Sequence, residues 1–478
     1  MNVKRISDIF LKVCCALFLA VSLVLTFTVS DYYIFNRIGY SSGEFGFFFV
    51  ISQLVKKSGL LLLPLAVYYN KKSCAEAAKY VLPAFIIISF FTYGNFFDVT
   101  MLTADATPAQ SVYASINEFM PSAANKALFF IAATAELACC AALFVRDGFD
   151  ASPKSFIYFA VAVLAVMPLN ILENFYDVSA YGRDSALWFK NFTVWHFLAL
   201  AMLAGVTIGA YYFLRKKSVK LQREWLCAIA IVLLIQYHSK DSFVLGDGYN
   251  VYNHVFSCVP LFICNIGVYM AALSVILRKR VLYAISFFVH AAGALSVFVY
   301  FGKDSISNFG IFIGHSILYF CLTHILLFVL SVIPSALGHY RFRLKDCFVP
   351  MAYYCVVIVV AAVSGGLVTS ASMSFSYNGY TLAESEWILP NYAFAQINPL
   401  PIPCPTVPIT IWRCELNLAY LIILYLVYVA IFWTFTGFYY SFLAVRKRCL
   451  RGNLTTPVAN AEAAATTAID SERDSGGE

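Results

Sequence analysis

Long apolar stretches recur along almost the whole chain, each near the roughly 17–25 residues a helix needs to cross a bilayer. Basic residues fall in every second connection between them. Twelve stretches read as spans, over 8–30, 46–70, 80–98, 127–145, 156–174, 192–213, 224–239, 255–277, 281–301, 309–333, 347–369 and 416–441. Lipid offers no partner to a bare N–H or C=O, so each should be a helix, whereas a membrane barrel would show period-two alternation. At 61% hydrophobic and 12% charged, 478 residues cannot cover a soluble globule with polar surface. The expected fold class is all-α, a polytopic helical membrane protein with about twelve transmembrane helices.

Charge placement gives this count a direction, because cytoplasmic loops retain Lys and Arg. Lys4 and Arg5 precede span one; Lys71, Lys72 and Lys79 follow span two; Arg146 and Lys154 follow span four; Arg215, Lys216, Lys217, Lys220 and Arg223 follow span six. Arg278, Lys279 and Arg280, then Arg341, Arg343 and Lys345, then Arg446, Lys447, Arg448 and Arg451 continue the rhythm after spans eight, ten and twelve. Both termini are expected in the cytoplasm, in a multi-pass protein of the plasma membrane. The net charge of +7 then reflects topology and contact with anionic headgroups, with no nucleic acid implied. Two spans depart from the pattern. The second carries Lys56 and Lys57 near its middle, and the seventh turns polar from Gln236, so tilted or re-entrant geometry is expected there.

Outside the spans there is little to fold. The connection 369–415 is rich in Ser, Tyr, Asn and Pro and is long enough to lie over the outer face as a lid; the tail 452–478, rich in Ala, Thr and acidic residues, has nothing to bury and is expected to be disordered. Most of the fourteen cysteines lie in spans, where they act as small apolar residues. Only Cys404 and Cys414 share the outward connection and are placed for a disulfide on an oxidising side. Asn191-Phe192-Thr193 matches the glycosylation pattern, close to the membrane.

Reactive groups gather toward one leaflet. Spans eight and ten run in the same direction. Cys264 lies about nine residues into the former and His315 about six to seven into the latter, or roughly 13 Å and 10 Å deep at about 1.5 Å per residue. His196 begins span six, His238 ends span seven and His254 begins span eight, all on the outer side. On span eight His254, Cys258, Leu261 and Asn265 share a face beside Cys264, and on span ten Asn308, His315 and Tyr319 align. A polar stripe inside a membrane faces the bundle interior or a water-filled cavity. Its plain alternative is helix-to-helix hydrogen bonding. A thiol and an imidazole at one depth are the parts of a nucleophile and its base.

From about 190 to 440 the chain resembles the YwaF-like family of bacterial integral membrane proteins, related to a TMEM-type lysophospholipid acyltransferase. The resemblance rests on Phe192-Thr193-Val194-Trp195-His196, on Pro260-Leu261-Phe262-Ile263-Cys264-Asn265 and on Phe312-Ile313-Gly314-His315. The family's Pro-Leu-His-aliphatic-Cys motif has Phe262 here in place of its histidine. The chain is thus expected to divide into a five-span region over 1–189, which the resemblance does not cover, a seven-span YwaF-like domain over 190–445 and a tail over 446–478. The resemblance implies acyl transfer from a membrane phospholipid, with Cys264 as nucleophile, His315 as base and Asn265, His254 or His196 holding the oxyanion or the substrate; no cofactor and no metal are expected. Two other readings stand beside it. A carrier would use Lys56, Lys57, Asp98, Glu136 and Glu173 inside the membrane, with Glu136 the one to test, and a metal site would draw on His196, His238, His254 and His315. A non-catalytic structural protein also remains open.

Overall fold

A computed structural model describes residues 3–28, 43–92, 122–169, 171, 185–243, 261–301, 310–374, 376–377, 380–381, 393, 395, 404–411 and 414–452. Every one of the twelve apolar stretches carries a helix there. They are α1 (Val3–Thr28), α2 (Gly43–Lys57) with α3 (Gly59–Tyr68), α4 (Lys72–Thr92), α5 (Ser122–Asp147), α6 (Pro153–Val166), α7 (Val194–Arg215), α8 (Val219–Phe243), α9 (Ile263–Leu277), α10 (Arg280–Val299), α11 (His315–Ala336), α12 (Phe348–Ser374) and α13 (Leu418–Gly452). Nine of these spans among the described residues are long and apolar enough to cross a membrane, while α6 and α9 are apolar but shorter. The protein is an all-α polytopic membrane protein.

The second span is a broken helix. At Ser58 the backbone N–H bonds back only three residues, to Val55, and Ser58 Oγ donates to the same carbonyl, so α2 stops just after Lys56-Lys57 and α3 starts again at Gly59. The seventh span keeps its polar end inside the helix. Gln236 is buried because α6 stops early: Met167 turns extended before Pro168, a residue type that disfavours helix just ahead of it. That leaves last-turn carbonyls without helical partners. Gln236 Nε2 donates to two main-chain carbonyls at this end, Ala165 at 2.8 Å and Met167 at 3.2 Å.

By contact the chain divides into Met1–Leu424 and Tyr425–Glu478. Among the described residues the first unit holds two large hydrophobic cores and a small cluster around Phe49 and Phe129. One large core is built from α1 to α6, with α2 contributing Val55 and α8 joining at Ile235; the other is built from α7 through α11. Helix α8 packs on α1, α3 and α6 as well as on α9 and α11, so it serves both. Hydrocarbon supplies no hydrophobic drive between helices, and close packing comes from small residues instead. Accordingly Ala132, Ala133, Cys139 and Cys140 of α5 meet Leu11 and Cys15 of α1, and Ala271 and Ala272 of α9 face the second core, while Phe197, Ile208 and Tyr212 of α7 stay exposed for lipid.

On the basic side, Asp346 in a 3-10 turn (Leu344–Cys347) accepts from Arg280 Nε at 2.9 Å and Nη2 at 2.6 Å, from the Tyr340 hydroxyl at 2.9 Å and from the Arg343 N–H at 2.7 Å. This fork joins the start of α10 to the start of α12. Burial first, then the hydrogen bond to Asp346, pushes the Tyr340 hydroxyl above its ordinary range. In the connection before α13 the described residues form two antiparallel ribbons, β1 (Ser376–Tyr377) with β2 (Tyr380–Thr381) and β3 (Pro408–Ile411) with β4 (Cys414–Asn417). Asn417 caps α13: its Oδ1 accepts from Ala419 and Tyr420. The lid over the rest of 369–415 and the tail beyond 452 lie outside the described residues, as does the Cys414 side chain needed for the disulfide with Cys404. The second unit is the remainder of α13, with Leu426, Ile431, Trp433 and Phe438 exposed on its apolar surface.

Candidate functional site

The site starts from two helix beginnings. Phe262 is the extended N-cap of α9, with φ −72° and ψ 139°, so Cys264 is the second residue of that helix and Asn265 the third. Gly314 caps α11 in the same way, and His315 is its first residue. Both residues were expected well inside helices starting near 255 and 309, and the described helices start later. On the α11 side, Gly310 takes a φ of +67°, Ile311 forms an isolated bridge with Trp188, and a turn closed by the Gly314 N–H on the Ile311 carbonyl leads into the helix. The depth argument changes accordingly: Cys264 and His315 each lie in the first turn of one of two packed helices. First-turn N–H groups have no helical partner and the helix dipole is positive there, so both positions favour negative charge. Cys264 is exposed and Asn265 half-buried. The His315 side chain, His254 and Asn308 lie outside the described residues.

His196 is brought to the same end of the domain, and its ring is occupied. The Phe192 N–H donates to Nδ1 at 2.8 Å and Nε2 lies 2.8 Å from the Phe298 carbonyl, so the proton sits on Nε2 and donates there. The ring is 1% exposed, among Phe189, Phe192 and Phe301. With both nitrogens committed to the backbone, His196 neither faces an oxyanion nor ligates a metal; it braces Phe192, whose φ of +61° is unfavourable for a bulky side chain. Asn191 joins the brace. Its Nδ2 donates to the Phe301 carbonyl at 2.8 Å and its Oδ1 accepts from the Phe301 N–H at 3.1 Å, which uses the amide that the glycosylation pattern would modify. The Phe189 N–H donates to Gly310 O at 2.9 Å and the Phe312 N–H to Leu187 O at 3.1 Å. Residues 187–196 thus form a collar that holds the end of α10 and the strand-like entry to His315.

A histidine outside the sequence candidates, His290, packs on α9. The α10 helix opens into a π-turn at Ser286–Ala291, a local widening frequent at functional sites, and the turn carries His290. His290 is 1% exposed, and its Nε2 shares a 3.1 Å hydrogen bond with the Tyr353 hydroxyl. Its ring lies against α9 at Gly267, three residues beyond Cys264, where a Cβ would stand 2.5 Å from Nδ1. Only a residue without a side chain allows that approach. His238 is also buried, and shares a 3.1 Å hydrogen bond with the hydroxyl of Tyr269, one turn past Asn265 on α9. The structure therefore gathers His290, His238 and their tyrosines around α9. Among the described residues no three His, Cys, Asp or Glu are grouped to hold a metal.

The carrier's residues lie in the other core. Glu136 is fully buried, and among the described residues neither carboxyl oxygen has a hydrogen-bond partner. Its Oε1 lies against Gly59, where a Cβ would come within 2.3 Å. Lys56 is 9% exposed, with its ammonium 4.3 Å from the centre of the Phe129 ring. Lys57 Nζ donates to Ser239 of α8. Asp98 and Glu173 lie outside the described residues.

Residues 191–428 match the family model described as TMEM164 family. The match begins at the collar and takes in Cys264, His290 and His315. No curated protein and no solved structure matches the chain.

Proposed function

We propose that the TMEM164-family region is a membrane-embedded, cysteine-dependent lipid acyltransferase or acyl hydrolase, with Cys264 as nucleophile and His315 as its base. The observation that carries the reading is the placement of both residues in the first turns of the packed helices α9 and α11, with Cys264 exposed. The finer likeness to the YwaF-like proteins belongs to the same reading. A thiol in apolar surroundings is inert until a base takes its proton, and a neighbouring imidazole supplies that base. The thiolate attacks the ester carbonyl of a phospholipid, the carbonyl carbon–oxygen bond to glycerol breaks, and the acyl group stays on sulfur as a thioester. The proton held by histidine passes to the departing lysolipid oxygen. Water or another lysolipid hydroxyl, deprotonated by the same histidine, then attacks the thioester and regenerates the thiol. Asn265 and the first-turn N–H groups of α9 are the oxyanion donors in this scheme, with His254 a further candidate; His196 acts through the collar.

The test compares the full-length protein with Cys264→Ala and His315→Ala, reading cellular lipid profiles and labelling by a thiol-directed lipid probe. The proposal expects labelling to vanish in the first variant, to fall in the second and the lipid profile to change in both. Identical profiles with labelling independent of Cys264 would remove it. A second reading, a carrier of a small solute or lipid, is favoured by one observation, the Glu136 carboxyl buried without a hydrogen-bond partner among the described residues. Proton-coupled uptake lost in Glu136→Gln and intact in Cys264→Ala would select it.

A further inference from the structure

An open groove enclosing ≈ 580 Å³, counted out to its mouth, lies between α3, α4, α6 and α8. Its wall is apolar, with Leu61, Leu65, Ala162 and Ala228 facing in, and it follows α3 from Leu61 to Tyr69, about 12 Å at 1.5 Å per residue. Tyr69 ends the groove and donates from its hydroxyl to Cys227 Sγ at 2.8 Å; that sulfur in turn lies 4.0 Å from the Val275 carbonyl near the end of α9. Cys264 is eleven residues earlier on α9 (275 − 264), about 16 Å away along the axis. The groove is therefore at the opposite, basic end of the bundle from the proposed catalytic site.

One polar device guards the mouth. Lys71 Nζ and Glu224 Oε2 pair at 2.8 Å, on side chains 27% and 14% exposed, and both residues line the groove. The pair is a fixed dipole at the membrane edge, ammonium on one side and carboxylate on the other. Beside it, α6 exposes Phe156, Ile157 and Leu164 to the surroundings, which for a chain of this class is hydrocarbon. What can enter an apolar groove from that side is an acyl chain. What can answer a Lys–Glu dipole at the headgroup level is a headgroup that carries both charges.

We propose that this groove binds a zwitterionic phospholipid, one acyl chain lying along α3 between Leu61 and Leu65, its phosphate on Lys71 and its amine on Glu224. The ion pair opens and each member exchanges its partner for the matching group of the lipid. A partly solvated pair of this kind contributes only modestly by itself, and the lipid's own charges replace each partner, so the exchange costs little. A purely anionic headgroup would satisfy Lys71 and leave Glu224 facing a phosphate, which disfavours it. The proposal stands on residues outside the proposed catalytic site.

Native mass spectrometry of the full chain, stripped of lipid and given phosphatidylethanolamine or phosphatidylglycerol with the same acyl chains, reads it directly. The wild type should retain the zwitterionic lipid at least about fivefold better, the discrimination that roughly 1 kcal/mol gives. Glu224→Gln should erase that preference. Ala162→Trp, which fills the groove, should lose both lipids, with Leu65→Phe as the milder filling where the tryptophan variant does not elute as folded protein. A diazirine in the acyl tail should crosslink within 61–74, 158–162 or 221–228. Unchanged retention in a folded groove-filling variant, or crosslinks only elsewhere, overturns the site. Preference for phosphatidylglycerol in the wild type overturns the headgroup assignment. Cys264→Ala should bind as the wild type does, so loss of the acyl-transfer reading would leave this result standing.

Discussion

Around the first core, beside buried serines and Thr92, four buried side chains are ionic: Lys56, Lys79, Glu76 and Glu136 are each no more than 9% exposed. Around the second, beside Gln222 and several buried serines, four are histidines, with His196, His238, His290 and His324 no more than 5% exposed. The first set is held where the chain turns. Lys79 Nζ donates to Gly148 O, and Glu76 accepts from the Ser152 N–H at 3.0 Å, so charges meet unpaired backbone groups at the basic edge. Glu136 departs from that rule. The second set needs no charge at all. An imidazole that accepts at one nitrogen and donates at the other, as His196 does, can pin a helix end inside hydrocarbon without the desolvation cost of an ion. Where the second core needs precise helix starts, at α9 and α11, neutral rings and backbone bonds supply the precision. A nucleophile in that half would work among fixed dipoles, and a proton or ion route would belong to the other half.

The sharpest way to break this contrast is to add one methyl group to each core. Gly267→Ala places a Cβ within 2.5 Å of His290 Nδ1 and 2.9 Å of its ring carbon, and a buried ring held by Tyr353 has nowhere to move. We expect destabilisation of about 2–3 kcal/mol, in the range of core overpacking, read as a lower thermal midpoint in detergent, together with reduced probe labelling at Cys264. Gly59→Ala meets the ends of two flexible side chains, Glu136 and, less closely, Leu82, so the loss should be smaller, about 1–2 kcal/mol, and Glu136→Ala in the same chain should restore most of it. Equal losses in the two variants, with no rescue, would erase the difference between a rigid ring and a yielding carboxyl.

The smallest effect is expected at the ion pair. Lys71→Met should cost no more than about 1 kcal/mol, because the pair is partly solvated. Burial lowers the Lys71 amine, but its hydrogen bond and charge contact with Glu224 outweigh this and leave it above its ordinary value. A base raised on folding stabilises the fold fully below its unfolded pKa, about 10.4, and loses that contribution as the pH climbs through the folded value. The wild-type advantage over Lys71→Met should therefore be flat through neutral pH and shrink only above about pH 10. An advantage that vanishes near neutral pH would contradict the pairing.

Helix positions were legible in the sequence because each of the twelve apolar stretches is long, and lipid leaves backbone groups no choice but to pair within the segment. Where helices begin was not. The apolar run passes unbroken through Val259-Pro260-Leu261-Phe262, yet Phe262 is an extended cap; likewise Ile311 and Phe312 are as apolar as a span but bridge to Trp188 and Leu187. Hydropathy cannot separate an extended entry from a helix turn. Cys264 and His315 were singled out by residue type and depth, and each lies in the first turn of its helix, which the depth count did not contain. His290 was passed over because nothing in Ser286–Ala291 announces a π-turn; Gly267, a small residue opposite it on α9, was the available signal. His196 was read as a reactive group where the fold uses it as a brace, since a ring nitrogen's partner four residues back or a hundred residues on leaves no local trace.

The central claim is that Cys264 carries an acyl group in the course of turnover. Full-length protein incubated with a phospholipid of defined acyl chain, quenched in acid and digested, should yield the peptide containing Cys264 with that chain's mass added, lost on treatment with neutral hydroxylamine and reduced in His315→Ala. A Cys264 peptide that stays unmodified while the lipid is turned over, or an adduct that persists elsewhere in Cys264→Ala, would contradict it.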